Sequence, residues 1–458
     1  MICSVIRPLR RAPLRRDLIP SSAIPIAYFA FAHLGLGAAT FALAVRPGIP
    51  GGFFYHPKML GLVHLVTLAW LSGSILGAFY IVAPIALRMP LPARLADWTA
   101  FAGFAVGTLG IVGHFWIEDR DSVAAAALVV IASIAFVAFR AARGLQTAPV
   151  PWPVKLHIGF AFVNILAAGI FGIVIALDRS RGFLGISPLA STYAHAHLAG
   201  LGWATMMVVG LSYRLIPMML PAQPPSGASL AFSAIFIEVG LAVVVAALVT
   251  GSAWLTVGGL LIAAGVACFV VNIRRMLATR VRRPSALPLR DWSVWQTHAA
   301  LLWLLVALVL GLLISTDLPG ERRIGWIWMY GVAGLVGFLA QIVVGMQGRL
   351  VPLYAWYRVF AARGGEPPDR AAHAIPSPAF ARTIFLLWAG GVPLLACGLA
   401  GEHPTLISTS AGLLFVAVAA GAAYFGYMLR APRIPPRTTC RRPERRRWQS
   451  LLLRRAAL

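Results

Sequence analysis

Residues 64–84 read HLVTLAWLSGSILGAFYIVAP, an apolar run that begins on a histidine and ends on a proline. Two later stretches repeat its spacing: residues 197–217 read HLAGLGWATMMVVGLSYRLIP, and residues 332–352 read VAGLVGFLAQIVVGMQGRLVP. Each carries a glycine seven residues before the proline and an aromatic residue fourteen before it. Internal repeats are typical of proteins built from copies of one structural unit, so this pattern indicates the architecture.

The chain around these stretches is equally apolar. Of its 458 residues, 59% are hydrophobic and 12% are charged, and its mean hydropathy is +0.81. A helix of roughly 20 apolar residues crosses a bilayer core about 30 Å thick, whereas a water-soluble protein of this composition would expose too much apolar surface. Apolar runs bounded by Arg, Pro and Gly predict twelve spans, with the seventh and the eighth split at Gly251-Ser252. The spans lie near 24–45, 57–87, 96–116, 122–143, 153–178, 190–220, 228–250, 252–275, 292–316, 324–355, 379–400 and 404–430.

The repeated stretches are spans 2, 6 and 10, so the repeating unit is four helices. We predict an all-α, polytopic integral membrane protein whose twelve transmembrane helices form three pseudo-threefold four-helix units, about 24–143, 153–275 and 292–430. Because four is an even number, the copies share one orientation in the membrane within a single domain, 24–430. The preceding spans are expected to echo the repeat more weakly through His33, His157 and His298.

Basic residues indicate the orientation. The chain has 39 Lys and Arg against 14 Asp and Glu, for a net charge of +25. With a cytoplasmic N-terminus, only seven of the 39 lie on the outer side, which is the asymmetry of the positive-inside rule. We therefore predict a multi-pass protein of the bacterial inner membrane with the basic segments 1–23 and 431–458 in the cytoplasm. The charge is typical of topology and of contact with anionic membrane lipids, and we expect no nucleic acid partner.

Histidines are the main candidates for chemistry. Neutral imidazole suits haem iron or copper within a membrane. His64 and His197 hold the same repeat position, so we predict a b-type haem between them, in the outer half of the membrane. His195 precedes His197 by two residues and therefore points about 200° away on a helix. It is expected to serve a second site on the opposite face, although His195 is also open as the partner of His64.

Other histidines are weaker candidates. His33 is a further cofactor ligand, and His298 and His114 are further metal ligands, with copper or non-haem iron as the alternative metals. The competing interpretation is that such rings only hydrogen-bond to water or to carbonyl groups near the membrane surface, and His157 is expected to be interfacial. The four cysteines form no C-x-x-C, which argues against covalent c-type haem and against a Cys-based zinc site.

One carboxylate stands within an apolar span. Glu238 lies in AFSAIFIEVGLAVVV, near the middle of span 7. A lone acid is costly in the membrane unless it is paired or protonated, so Glu238 is a functional candidate for proton handling. A protonated side chain that hydrogen-bonds across helices is the structural alternative. Its partner could be Asn164, Asn272 or Gln341.

The pattern as a whole resembles subunit I of the haem-copper oxidases, the cytochrome c oxidase subunit I superfamily. There, one helix carries an H-x-H whose two histidines ligate two haems on opposite faces. His195-Ala196-His197, followed by Gly210 and Pro217, is similar in spacing, and NnrS-type haem and copper proteins, linked to nitric oxide, use a similar motif. GWATMMVVGLSYRLIPM in span 6 and GMQGRLVPLYAWYRVF in span 10 are similar to short oxidase-like bacterial proteins.

The chain also departs from the oxidases. Their H-x-H lies on span 10, which here has no histidine, and their copper site uses a His-His pair, which this sequence lacks. The resemblance therefore implies haem binding without the full haem-copper oxygen-reducing centre.

The expected function is that of a haem-binding, oxidase-like redox protein in electron transfer or in chemistry of nitric oxide or oxygen. If it is an enzyme, it is an oxidoreductase, and a respiratory-chain subunit or another electron donor is the expected partner. Two other classes stay open. One is a cofactor-free transporter or channel in which the histidines and Glu238 line a path; the other is an accessory protein of a respiratory complex. Haem absorbance of the purified protein would distinguish the haem-binding redox protein from the transporter or channel and from the accessory protein.

Overall fold

The architecture is described by a computed structural model covering residues 16–51, 55–281, 291–316 and 320–433. These residues form helices and loops, with no β-strand among them. Twelve helices are long and apolar enough to cross a membrane, which confirms the predicted all-α polytopic fold. They are α1 Ile24–Val45, α2 Pro57–Ile85, α3 Leu95–Trp116, α4 Arg120–Thr147, α5 Trp152–Arg181, α6 Pro188–Met219, α7 Ser229–Thr250, α8 Leu255–Ala278, α9 Trp292–Ile314, α10 Arg323–Ala362, α11 Pro378–Ala400 and α12 Pro404–Arg433. Most of the predicted basic segments 1–23 and 431–458 lies outside the described residues.

The break between α7 and α8 falls where the sequence predicts it. Gly251 has a φ of +66°, and its N–H donates to the carbonyl of Ala247. Glycine adopts this left-handed conformation without a steric penalty, and it commonly ends a helix in this way. The single glycine therefore separates two helices that the apolar run alone would join.

The surface of the bundle is apolar, as a lipid-facing surface must be. Leu34, Val106 and Val163 are each more than 60% exposed in the middle of their helices. Inside, one buried charge is paired: Asp97 is fully buried, accepts a hydrogen bond from the Tyr80 hydroxyl at 2.6 Å and forms an ion pair with Arg140. Pairing offsets the cost of burying these charges, and it ties α2, α3 and α4 together.

The three repeated stretches share one irregularity of the backbone. A π-helical segment spans Leu65–Ser72 in α2, Leu198–Thr205 in α6 and Val332–Ala340 in α10. In the first two, the terminal hydroxyl bonds the carbonyl five residues earlier, from Ser72 to Thr67 and from Thr205 to Gly200. Segments of π-helix are rare, so three at one register show that the repeat extends to the backbone.

These three segments meet at the centre of the bundle and contact one another. The Trp203 indole N–H donates to the Ser72 hydroxyl at 3.1 Å. The Trp70 indole N–H donates to the carbonyl of Ala340 at 3.4 Å. Both donors occupy the aromatic position of their repeat, and both acceptors belong to the last residue of the π segment in a neighbouring copy. The bonds therefore run in one direction around a pseudo-threefold axis, as the repeat predicts; Phe338, at the third aromatic position, has no N–H to donate.

Each repeated helix also packs closely against the helix that precedes it, at the glycine that all three copies share. A Cβ on Gly77 would lie 2.9 Å from the Cβ of Tyr28, and one on Gly210 would lie 2.5 Å from the Cβ of His157. Gly345 meets Thr297 in the same way. The residues that occupy equivalent positions in the three preceding helices are thus Tyr28, His157 and Thr297.

The prediction that His33, His157 and His298 echo the repeat is therefore wrong. Connecting segments of different length place these histidines at different registers in α1, α5 and α9. Of these three histidines, His157 is the one that faces the repeated glycine of the following helix.

Candidate functional site

His64 of α2 and His195 of α6 lie side by side. Their ring centroids are 6.3 Å apart and their planes are inclined by 25°. The prediction that His64 faces His197 is wrong, because His197 points away from His64 toward α10. The open alternative, His64 with His195, is the arrangement that the fold adopts, and His195 and His197 do point to different sites as their spacing predicts.

Backbone hydrogen bonds orient both rings. Nδ1 of His64 donates to the carbonyl of Leu60 at 2.8 Å, and Nδ1 of His195 donates to the carbonyl of Ala168 in α5 at 2.9 Å. Each bond places the proton on Nδ1 and leaves Nε2 as a free acceptor. A histidine ligand of a metal is usually held in this way, with its other nitrogen bonded to a carbonyl or carboxylate.

A glycine in α5 makes room for one of these rings. A Cβ on Gly172 would lie 3.0 Å from Cε1 and 3.3 Å from Nδ1 of His195. Any side chain there would push the imidazole. Gly172 was not predicted from the sequence, since a glycine in an apolar helix carries no local signal of the ring that it accommodates.

His197 belongs to a second, similar pair. Its ring stacks on Tyr330 of α10 with centroids 6.0 Å apart and planes inclined by 24°. Nδ1 of His197 donates to the carbonyl of Tyr193 at 2.7 Å, so Nε2 accepts the hydrogen bond from the Tyr330 hydroxyl at 3.0 Å.

The two pairs are related by the pseudo-threefold axis. His64 and His197 hold one repeat position, and His195 and Tyr330 both stand two residues before it in the next copy. At the third junction the same positions are Leu62 and Val332, which are buried and apolar. Three equivalent junctions therefore carry His with His, His with Tyr, and two aliphatic residues. Tyr330 was missed in the sequence, although its register matches that of His195.

The remaining histidine candidates lie elsewhere. His33 is buried against the Trp70 ring at 5.2 Å, and His114 contacts Asp119 at 3.5 Å. His298 is exposed on the outside of α9, which removes it from a site shared with the others. His157 is fully buried within the bundle, and its Nε2 lies 3.0 Å from the Ser233 hydroxyl.

A metal held by three or more side chains finds no support in the described part of the chain. No group of three His, Cys, Asp or Glu side chains comes together there. Copper or non-haem iron thus remains a prediction from the resemblance alone. The fold does bring together two imidazoles whose Nε2 atoms have no protein partner among the described residues, and histidines of this kind could ligate haem iron.

Glu238 lies at one end of an apolar cavity of about 390 Å³ between α5, α6 and α7. Its carboxylate accepts a hydrogen bond from the Asn164 amide at 2.8 Å, which confirms one of the three predicted partners. Asn272 instead bonds the Ser229 hydroxyl at 2.8 Å, and Gln341 is fully buried.

Comparison with known proteins finds no family model that matches the chain, and no curated protein matches it significantly.

Proposed function

We propose that this protein is a membrane haem protein with a redox function, in which His64 and His195 hold a b-type haem. The observation that carries the proposal is the pair of neighbouring imidazoles on two helices, each with Nδ1 bonded to a carbonyl and with no protein partner for Nε2 among the described residues. The resemblance to haem-copper oxidases supports the same chemistry.

The spacing of the rings fits one metal ion between them. A metal–imidazole bond of about 2 Å places the ring centre about 3 Å from the metal, so two rings on one ion have centres about 6 Å apart. The observed separation is 6.3 Å. Ordinary contact between rings also spans this distance, and the equivalent pair of His197 and Tyr330 has centroids 6.0 Å apart. The proposal therefore depends on the Nε2 atoms of His64 and His195, neither of which has another protein partner among the described residues.

A haem with two imidazole ligands carries one electron at a time between ferric and ferrous iron. The chain's own residues hold and orient it: the carbonyls of Leu60 and Ala168 keep each ligand in the required tautomer, and Gly172 leaves space for the ring of His195. An electron donor or a respiratory-chain subunit supplies the electron. The setting is a bacterial inner membrane with both termini in the cytoplasm.

Glu238 is the proposed proton-handling group. Its Oε2 accepts a hydrogen bond from Asn164, Glu238 lines the cavity, and Oε1, which has no protein partner among the described residues, is the proposed site of protonation. Electron transfer or reduction of nitric oxide or oxygen within a membrane needs such a group to balance charge.

The test is the haem content of purified variants, measured by the pyridine haemochrome method and by the Soret band. We expect wild type from haem-replete cells to carry b-type haem. His64→Ala and His195→Ala should each lose most of it, because a single axial imidazole holds the iron less firmly. His298→Ala is the matched control, since this ring is exposed on the outside of α9, and it should retain the haem.

His197→Ala separates the proposed pair from the alternative pair. It should spare the haem between His64 and His195, because His197 bonds Tyr330 instead. Loss of all haem in His197→Ala but not in His195→Ala would place the cofactor elsewhere. Wild-type protein without haem would refute the function and favour a cofactor-free transporter.

A further inference from the structure

The cavity beside Glu238 opens along one face of α7. Glu238, Leu241, Ala242, Val245 and Val249 recur at helical spacing along this face, and Ala246 lies between them. Over the eleven steps from Glu238 to Val249 a helix rises about 16.5 Å. Ala242 and Ala246 are exposed on the side of the bundle, so the cavity is a groove that opens toward lipid rather than an enclosed chamber.

The polar end of the groove offers acceptors but no donors. The Asn164 amide uses one N–H on the carbonyl of Phe160 at 2.9 Å and the other on Oε2 of Glu238 at 2.8 Å. This arrangement fixes the orientation of the amide, because the reverse would set its oxygen against two other oxygens. Oδ1 of Asn164 and Oε1 of Glu238 are left without a protein partner among the described residues.

The carboxylate of Glu238 has no positively charged neighbour in the groove. Among the described residues that line it, none is Lys, Arg or His, and Glu238 forms no ion pair in the described part of the chain. A carboxylate within the membrane is costly unless a positive charge or a proton neutralises it. A ligand that brings a positive charge and N–H donors supplies both of the missing partners at once.

We propose that this groove is a binding site for a lipophilic primary amine. The ammonium group donates to Oε1 of Glu238 and to Oδ1 of Asn164, using two of its three N–H bonds. The apolar chain lies against Leu241, Val245 and Val249. With about 1.2 Å per bond along an extended chain, an alkyl group of about ten carbons occupies most of the groove. The site shares Glu238 with the proposed proton handling, but it does not involve His64 or His195, so the haem and the amine site are tested separately.

The experiment uses the full chain in nanodiscs of zwitterionic phosphatidylcholine, which avoids non-specific attraction of cations to anionic lipid. A decylamine bearing a photoreactive diazirine is cross-linked, and labelled peptides are located by mass spectrometry. We expect labelling of α7, and competition by decylamine but not by decanol or decanoate of the same chain length. Glu238→Gln should weaken labelling at least tenfold, because it keeps the shape and the bond to Asn164 but removes the charge. Glu402→Gln, at an exposed loop carboxylate, is the matched control and should label like wild type.

A second variant keeps the test valid if Glu238→Gln fails to fold. Ala246→Leu fills the groove from its lipid-exposed side while leaving the carboxyl intact, and it should also abolish labelling. Equal labelling of Glu238→Gln and wild type would overturn the proposal. Equal competition by decanol, or stronger competition by decyl-substituted quinone, would show a site for neutral lipophiles and would overturn it as well. The haem content of each variant is measured in parallel and should not change.

Discussion

Substituting Gly172 by alanine tests the geometry of the proposed haem site without touching a ligand. The added methyl group would lie 3.0 Å from Cε1 and 3.3 Å from Nδ1 of His195. Non-bonded carbon atoms pack at about 3.5–4.0 Å, so the ring must shift by about 0.5 Å or more. The 2.9 Å bond from Nδ1 to the carbonyl of Ala168 resists this shift.

The size of the effect follows from what orients the ligand. Disturbing the groups that orient a metal-bound histidine typically costs about 10–100-fold in metal affinity. A methyl group is the smallest perturbation available, so we expect about a tenfold loss of haem affinity in Gly172→Ala, or about 1.4 kcal/mol. The fold should survive, because alanine favours the helical conformation by up to about 1 kcal/mol over glycine.

The assay is the haem-to-protein ratio of variants purified from cells with limiting haem, where a tenfold change in affinity alters occupancy. The matched control is Gly159→Ala in the same helix, since a Cβ there meets nothing within 4 Å. This variant should bind haem as wild type does. If Gly172→Ala and Gly159→Ala retain equal haem, the ring of His195 is not a ligand in this position, and the reasoning fails.

Three further outcomes are expected. Gly210→Ala, whose Cβ would lie 2.5 Å from that of His157, should destabilise the bundle by about 1–3 kcal/mol in detergent-induced unfolding; Gly200→Ala, with open space around it, should not. Trp203→Phe removes the donor to Ser72 and should cost about 1 kcal/mol in the same assay, and an unchanged midpoint would show that this central bond contributes nothing. A green fluorescent protein fused to the C-terminal tail should fluoresce, and alkaline phosphatase fused there should be inactive, because the tail is predicted to be cytoplasmic. Active phosphatase would contradict the predicted topology.

The sequence alone was sufficient for the spans and for the repeat. A bilayer requires an apolar run of a given length in each helix, and such runs are visible in composition. The break at Gly251 was readable because a glycine that ends a helix interrupts the run. The spacing of Gly77, Gly210 and Gly345 revealed the threefold architecture, since close helix crossings demand small side chains at one register.

The sequence also singled out His64, His195 and Glu238 as candidates, and it predicted that His195 and His197 face different sites, because residues two apart on a helix point about 200° apart. It predicted Asn164 among the partners of Glu238. It could not show that Glu238 lies at the end of a lipid-facing groove, because the small side chains of Ala242 and Ala246 create that groove only once α5, α6 and α7 pack together.

Only the tertiary structure decided which rings meet. The repeat shows that His64 and His197 occupy equivalent positions. It does not show in which direction each copy faces its neighbour around the axis. In the fold, the residue at this position in one copy contacts the residue that stands two positions earlier in the next copy. His64 therefore contacts His195, and His197 contacts Tyr330. The physical reason is that contacts between helices depend on how each helix is rotated about its own axis, and that rotation is decided by the packing of the whole bundle, in which the three π segments contact one another at the centre, rather than by a local pattern of residues.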